Sequence, residues 1–180
     1  MVFISLHPDH DSAYKQAGGE NVGSKEDRVV RCFMYGSRMH IGEMKGAAPS
    51  ATMAFIAKVD GCRLCFPRYS EKRHGGVASI EQCKGETTWG VVWQFPEIEL
   101  PQLDKKEGVP LNRYRREQIE VTDTLGMAHR CHIYFAIPEK ESKPSAQHYM
   151  RYIIEGAQQH GLPNEYIEKL QRIPTAPEKD

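Results

Sequence analysis

Apolar residues fall along this chain in short runs, and the spacing within each run predicts an element. Val29 to Met34 ("VVRCFM") reads as a strand with a buried end. "MAFIAKV" (53–59) and "CRLCF" (62–66) flank Asp60-Gly61, which predicts a hairpin turning at that dipeptide. "GGVASI" and "TTWGVVWQF" predict a second adjacent pair, joined through Gly85. "HRCHIYFAI" alternates and sets Cys131, Ile133, Phe135 and Ile137 on one face, while "YRREQIEV" is a more polar strand. The period lengthens late in the chain. "PSAQHYMRYIIEGAQQHG" predicts a helix capped by Ser145 and closed at Gly161, with Tyr149, Tyr152, Ile153 and Gly156 on one side. "PNEYIEKLQRI" predicts another from Pro163, burying Tyr166, Ile167, Leu170 and Ile173. A shorter helix covers "EIELPQLDKKE" and stops at Gly108. Strands followed by helices make the fold class α+β. Residues 1–28 lack periodicity and read as a flexible tail, residues 29–173 as one domain, and 174–180 as a terminal tail.

Charge changes this picture little. The 24 basic and 24 acidic residues cancel, so no global field draws the chain to nucleic acid or membrane. The basic patch "RYRR" (113–116) is offset by Glu117 and Glu120. No apolar run approaches the roughly 20 residues of a membrane span, and the first residues turn polar too early for a secretion signal. Cys32 and Cys131 sit in strand-like runs, as buried thiols do. "CRLC" (62–65) has redox or zinc spacing but no second pair. A reducing cytoplasm is the expected compartment.

Three stretches could carry chemistry. "YGS" (Tyr35 to Ser37) follows a strand directly, and successive amides in such a turn can cradle an anion, although an ordinary turn reads the same way. Glu107 falls in the last turn of a short helix. There the negative end of the helix dipole and burial both work against its charge, the condition a general base near neutral pH requires. Lys105 and Lys106 work the other way where they lie close, and a solvated glutamate fits the same position. His74, in "RHGGVASI", has neither a nucleophile nor an orienting carboxylate tied to it and reads as structural. The remaining histidines show no metal-binding pairing, and Trp89 and Trp93, four apart, read as core.

In series, "YGS", "HGGVASI", "TWGVVW", "LDKKEGV", a "PS" helix with a tyrosine, and "GLPNEYIEKL" resemble the gamma-glutamylcyclotransferase family over roughly residues 30–173. The resemblance implies a small mixed β-barrel with flanking helices and a cavity at one end. It implies conversion of a gamma-glutamyl amino acid into 5-oxoproline and the free amino acid, in the cytoplasm, with no cofactor or metal and as a homodimer. It maps the substrate loop onto Cys32, Phe33, Met34, Tyr35, Gly36 and Ser37, the acid/base glutamate onto Glu107, and a substrate-contacting tyrosine onto Tyr149. The spacing from "PS" to that tyrosine is one residue longer than usual, and alignment back from Gly156 favours Tyr149 over His148.

One departure stands out. The family turn continues with asparagine and leucine, whereas Arg38 and Met39 follow Ser37 here. An arginine only donates and is always charged. Three outcomes are open: it points outward, it reaches an anionic group and alters substrate choice, or it disrupts the loop. The competing reading is a non-catalytic member that keeps the cavity for a small ligand or a protein partner.

Overall fold

The computed structural model describes residues 24–139 and 144–176; most of the expected N-terminal tail lies outside them. Strands β1 (Val29–Met34), β2 (Thr52–Ser70), β3 (Gly75–Pro96), β4 (Tyr114–Asp123) and β5 (Ala128–Ala136) close into a barrel in the order β1-β3-β2-β4-β5. Neighbours pair antiparallel except at the closure, where β1 meets β5 in parallel with Cys32 opposite His132. The barrel is therefore mixed. Helices α1 (Ile41–Lys45), α2 (Leu100–Glu107), α3 (Gln147–Gln159) and α4 (Asn164–Gln171) flank it. Two short strands, β6 (Ser145–Ala146) and β7 (Thr175–Ala176), pair in parallel beside it.

The two predicted hairpins do not form. Asp60-Gly61 and Gly85 are irregularities inside two long strands, β2 and β3, which pair with each other from Thr52 opposite Gln94 to Ser70 opposite Gly75. Gly61 and Gly85 do take the positive φ that suggested turns, +73° and +85°. That freedom bends each strand instead of reversing it. Asp60 spends its carboxylate across the bend, accepting from Thr87 Oγ1 at 2.8 Å and from Lys58 Nζ at 3.1 Å. The reversal lies at His74, itself left-handed at φ 50°. Its role is that of a turn residue, as its sequence context suggests.

Helix ends follow the sequence more closely. α2 stops at Gly108, whose φ of +75° closes the helix. α3 ends before Gly161, also left-handed. Its start differs: Ser145 is not the cap but a fully buried residue of β6, and Ala146 precedes the first helical residue without a side-chain bond. Residues assigned to the tails are anchored at both ends. Lys25 and Arg28 accept from the amides of Ile98 and Glu97, and Thr175–Ala176 complete the β6–β7 pair.

The core fills the barrel and the seam beneath α3 and α4. Cys32, Phe33, Val91, Val92, Leu103, Ile133, Ile153 and Leu170 are all buried to 1% exposure or less. Burying a side chain the size of phenylalanine is worth about 2–3 kcal/mol. Phe33 gains this only because Gly90 faces it: a Cβ there would lie 2.7 Å from its ring and 2.4 Å from Met34 O. Trp93 is buried and Trp89 half-buried against the same core. On β5, Cys131 and Ile133 point inward as expected. Tyr134 and Ala136 are buried too, because strands at the barrel end are covered on both faces.

Candidate active site

Beyond Met34 the chain leaves the sheet, and a tight turn, Ser37–Met39, carries it to α1. Only the amides of Met39 and His40 are used inside this turn, donating to Gly36 and Ser37 carbonyls. Those of Gly36, Ser37 and Arg38 donate to no protein acceptor among the described residues. α3 holds the turn in place. Gly156 lets the helix come so close that a Cβ would sit 2.4 Å from His40 N, and His160 Nε2 meets Met39 O at 3.0 Å. Gly36 is also tightly placed, its Cβ position lying 3.1 Å from the Cβ of Ala78.

Opposite the turn, Ala78 on β3 is left out of the ladder, because the register slips between Cys65 and Arg68 at Pro67, which has no N–H to give. Two phenols take up its backbone groups. Ala78 N donates to Tyr149 Oη at 3.2 Å, and Tyr114 Oη donates to Ala78 O at 2.9 Å. Tyr35 donates to the carbonyl of Tyr134, and Tyr134 Oη donates to Asp104 at 2.7 Å. Asp104 is held in turn by Arg116 Nε at 2.9 Å. Burial pushes all four phenols, Tyr35, Tyr114, Tyr134 and Tyr149, above the usual tyrosine range, so they enter the site as neutral donors and acceptors.

Glu107 closes the arrangement from the end of α2. With Met34, Tyr35, Gly36, Ser37, Arg38, Ala78 and the other three tyrosines it lines a small cavity of about 30 Å³. Lys105 and Lys106 are exposed and do not meet it. Arg38 does: its Nε donates to Glu107 Oε1 at 2.7 Å, with the two side chains only 17% and 14% exposed. The same guanidinium donates through Nη1 to Glu43 O at 2.5 Å and lies 3.9 Å from Glu43 Oε2. Burial works against the charge on Arg38, and Glu107 and Glu43 outweigh it, so the group is held firmly protonated. Glu43 is also paired with Arg73, whose guanidinium lies 5.5 Å over the Tyr149 ring and 5.3 Å over Tyr152.

Of the residues singled out in the sequence, Met34, Tyr35, Gly36, Ser37, Glu107 and Tyr149 are brought together around this cavity. Cys32 and Phe33 are not, being fully buried in the core behind it. Arg38 turns inward and reaches an anionic group, Glu107 of the protein itself. Tyr114, Tyr134 and Ala78 were missed. Tyr114 hides in the basic patch and Tyr134 in an apolar run, and only the barrel's closure brings both to the cavity wall. "CRLC" lies along β2 with free thiols, and burial raises Cys65 to about 11, which leaves it inert near neutrality. A wider surface groove of about 560 Å³ near Arg31, Arg130 and His132 contains no carboxylate among its lining residues.

The arrangement can hold a small anion on unused amides and can move a proton at one carboxylate. Glu107 Oε2 has no hydrogen-bond partner among the described residues. Known proteins resemble this chain over most of its length. Residues 87–170 match the model of the AIG2-like family. The chain is 34% identical to the gamma-glutamylcyclotransferase of Mus musculus, covering 86% of this chain and 84% of that one. It is 32% identical to the Homo sapiens protein of the same name, covering 87% and 85%. Among solved structures, a gamma-glutamyl cyclotransferase superposes with a TM-score of 0.81 at 31% identity, covering 85% of this chain and 92% of the other.

Proposed function

Because this chain belongs to the gamma-glutamylcyclotransferase family and is an enzyme of that type, we propose that it converts gamma-glutamyl amino acids into 5-oxoproline and the free amino acid, with Glu107 moving the proton. One observation carries the reading: the Glu107 carboxylate and the unused amides of Gly36 and Ser37 border a single cavity. In the reaction the substrate's own α-amine attacks its side-chain amide carbonyl. A C–N bond forms within a five-membered ring, and the C–N bond to the acceptor amino acid breaks. Glu107 takes a proton from the attacking nitrogen and delivers it to the departing one. The nucleophile is tethered to its target, so orientation supplies much of the rate. An α-amine has a pKa near 8, so freeing it at neutral pH costs on the order of one unit. The amides of Gly36 and Ser37 hold the substrate α-carboxylate, and the buried neutral phenols add hydrogen bonds without charge.

Replacing Glu107 by Gln keeps the shape and an acceptor oxygen but removes the proton carrier. Release of 5-oxoproline from gamma-glutamyl-alanine falls by about 100-fold or more, while the protein still folds, its melting temperature lowered by the weakened contact to Arg38. Near-normal turnover by this variant would rule out the role of Glu107. A cytoplasmic homodimer, and a catalytic domain spanning 29–173 between two tails, belong to the same proposal. The Arg38–Glu107 pair and the small cavity favour one alternative, a member that binds a ligand without turning it over. That reading predicts 5-oxoproline binding with no turnover of any gamma-glutamyl dipeptide by the wild type.

A further inference from the structure

Two charged side chains line the cavity, Arg38 and Glu107, and they form its short ion pair, with Glu43 a second, more distant anion beside Arg38. The phenols around them are neutral, and Glu43 and Arg73 balance each other just outside. A gamma-glutamyl amino acid brings one ammonium and two carboxylates into this neutral site. On the cyclotransferase reading above, on which this inference rests, the ammonium goes to Glu107 and the α-carboxylate to the amides of Gly36 and Ser37. Arg38 then loses its short bond to Glu107, keeps only the longer 3.9 Å approach to Glu43 Oε2 and the bond to Glu43 O, and the acceptor's carboxylate has no partner. We propose that Arg38 is a specificity-determining residue: its guanidinium leaves Glu107 as substrate enters and takes the carboxylate of the acceptor amino acid.

The geometry suits the exchange. Nη1 is tethered to Glu43 O, which gives the guanidinium a pivot at the rim, and Nη2 donates to no protein acceptor among the described residues. Arg38 is the one cation among the residues lining the cavity. Swapping one carboxylate for another leaves the partly buried guanidinium paired throughout, so no new charge is stranded. The planar fork can meet a carboxylate through two parallel bonds, which an ammonium cannot do. The exchange also widens the cavity by the volume that the ion pair now fills. An acceptor lacking a carboxylate leaves Arg38 on Glu107 and competes poorly for the site.

The test compares kcat/KM for gamma-glutamyl-alanine and gamma-glutamyl-alaninamide, which differ only in that carboxylate, in wild type, Arg38→Gln and Arg38→Lys. Wild type is expected to prefer the acid by about 10- to 100-fold. Arg38→Gln brings the ratio close to one while still turning over the amide, and Arg38→Lys falls between. A wild type that treats the two substrates alike within about threefold, or a Gln variant that keeps the wild-type ratio, overturns this inference and leaves the cyclotransferase reading standing. A wild type that turns over neither substrate overturns both. Should the Gln variant fail to fold, the wild-type ratio and the Lys variant decide.

Discussion

Tyr149 shows how much one oxygen can organise. Its Oη accepts from Ala78 N and lies where a side chain on Gly36 would reach it, 3.6 Å from that Cβ position. It thus links α3, β3 and the turn at the cavity wall. Tyr149→Phe keeps the ring under Arg73 but leaves the buried Ala78 amide without its acceptor, at a cost of about 1–3 kcal/mol. The expected outcome is a lower melting temperature together with a fall of roughly tenfold in kcat/KM for gamma-glutamyl-alanine, about 1.4 kcal/mol, read by calorimetry and steady-state kinetics. Unchanged values for both would show that the hydroxyl neither braces the wall nor serves the substrate. Glu107 and Gly36 were legible as candidates in the sequence because each sits at a marked point, a helix end and a strand end, whereas Tyr149 was pointed to only by the family resemblance. Arg38 was legible only as an anomaly. That it meets Glu107, 69 residues away, needs the fold.

At the scale of elements, the site depends on how closely α3 presses on the Ser37–Met39 turn. Gly156 permits this, and any Cβ there would strike backbone at His40 N and Met39 C, at 2.4 and 2.6 Å. Backbone cannot give way as a flexible side chain does. Gly156→Ala is therefore expected to destabilise the protein by about 1–3 kcal/mol, lowering the melting temperature by roughly 2–4 °C per kcal/mol in a chain of this size. It should also depress kcat, because the turn carrying the unused amides shifts with the helix. Gly61 is the contrast: its φ is positive but nothing lies within 4 Å of its Cβ position. The hairpin readings failed at this scale. Asp-Gly and a lone glycine report a positive φ, and a long bent strand uses that freedom as readily as a turn does. Which one forms is decided by the partner strand, and β2 and β3 run past both glycines together.

For the molecule as a whole, the balance of 24 basic and 24 acidic residues leaves local pairs to set its response to pH. Two histidines matter most. Burial lowers His160 below its ordinary value of 6.5, and the bond to Met39 O only partly offsets this. Burial, joined by Arg116, does the same to His132 on the parallel closure of the barrel. The unfolded chain therefore binds protons that the folded one resists, so stability is full above about pH 6.5 and declines as pH falls below it. Melting temperatures measured between pH 7.5 and 5.5 should fall, and His160→Gln should make that fall shallower. Equal slopes for the two proteins would remove His160 from the account.

The sequence by itself determined the local grammar: a strand ending at Met34, helices stopping at Gly108 and before Gly161, an α+β order, and the motif series that marks the family. These depend on period, turn chemistry and caps, which act over a few residues. The tertiary structure alone decided that two apparent hairpins are one long bent pair, that Tyr114 and Tyr134 face the cavity, and that Arg38 rests on Glu107. Each of these is a contact between distant segments, settled by barrel closure, burial and charge pairing in three dimensions, for which no short stretch of sequence carries a signal.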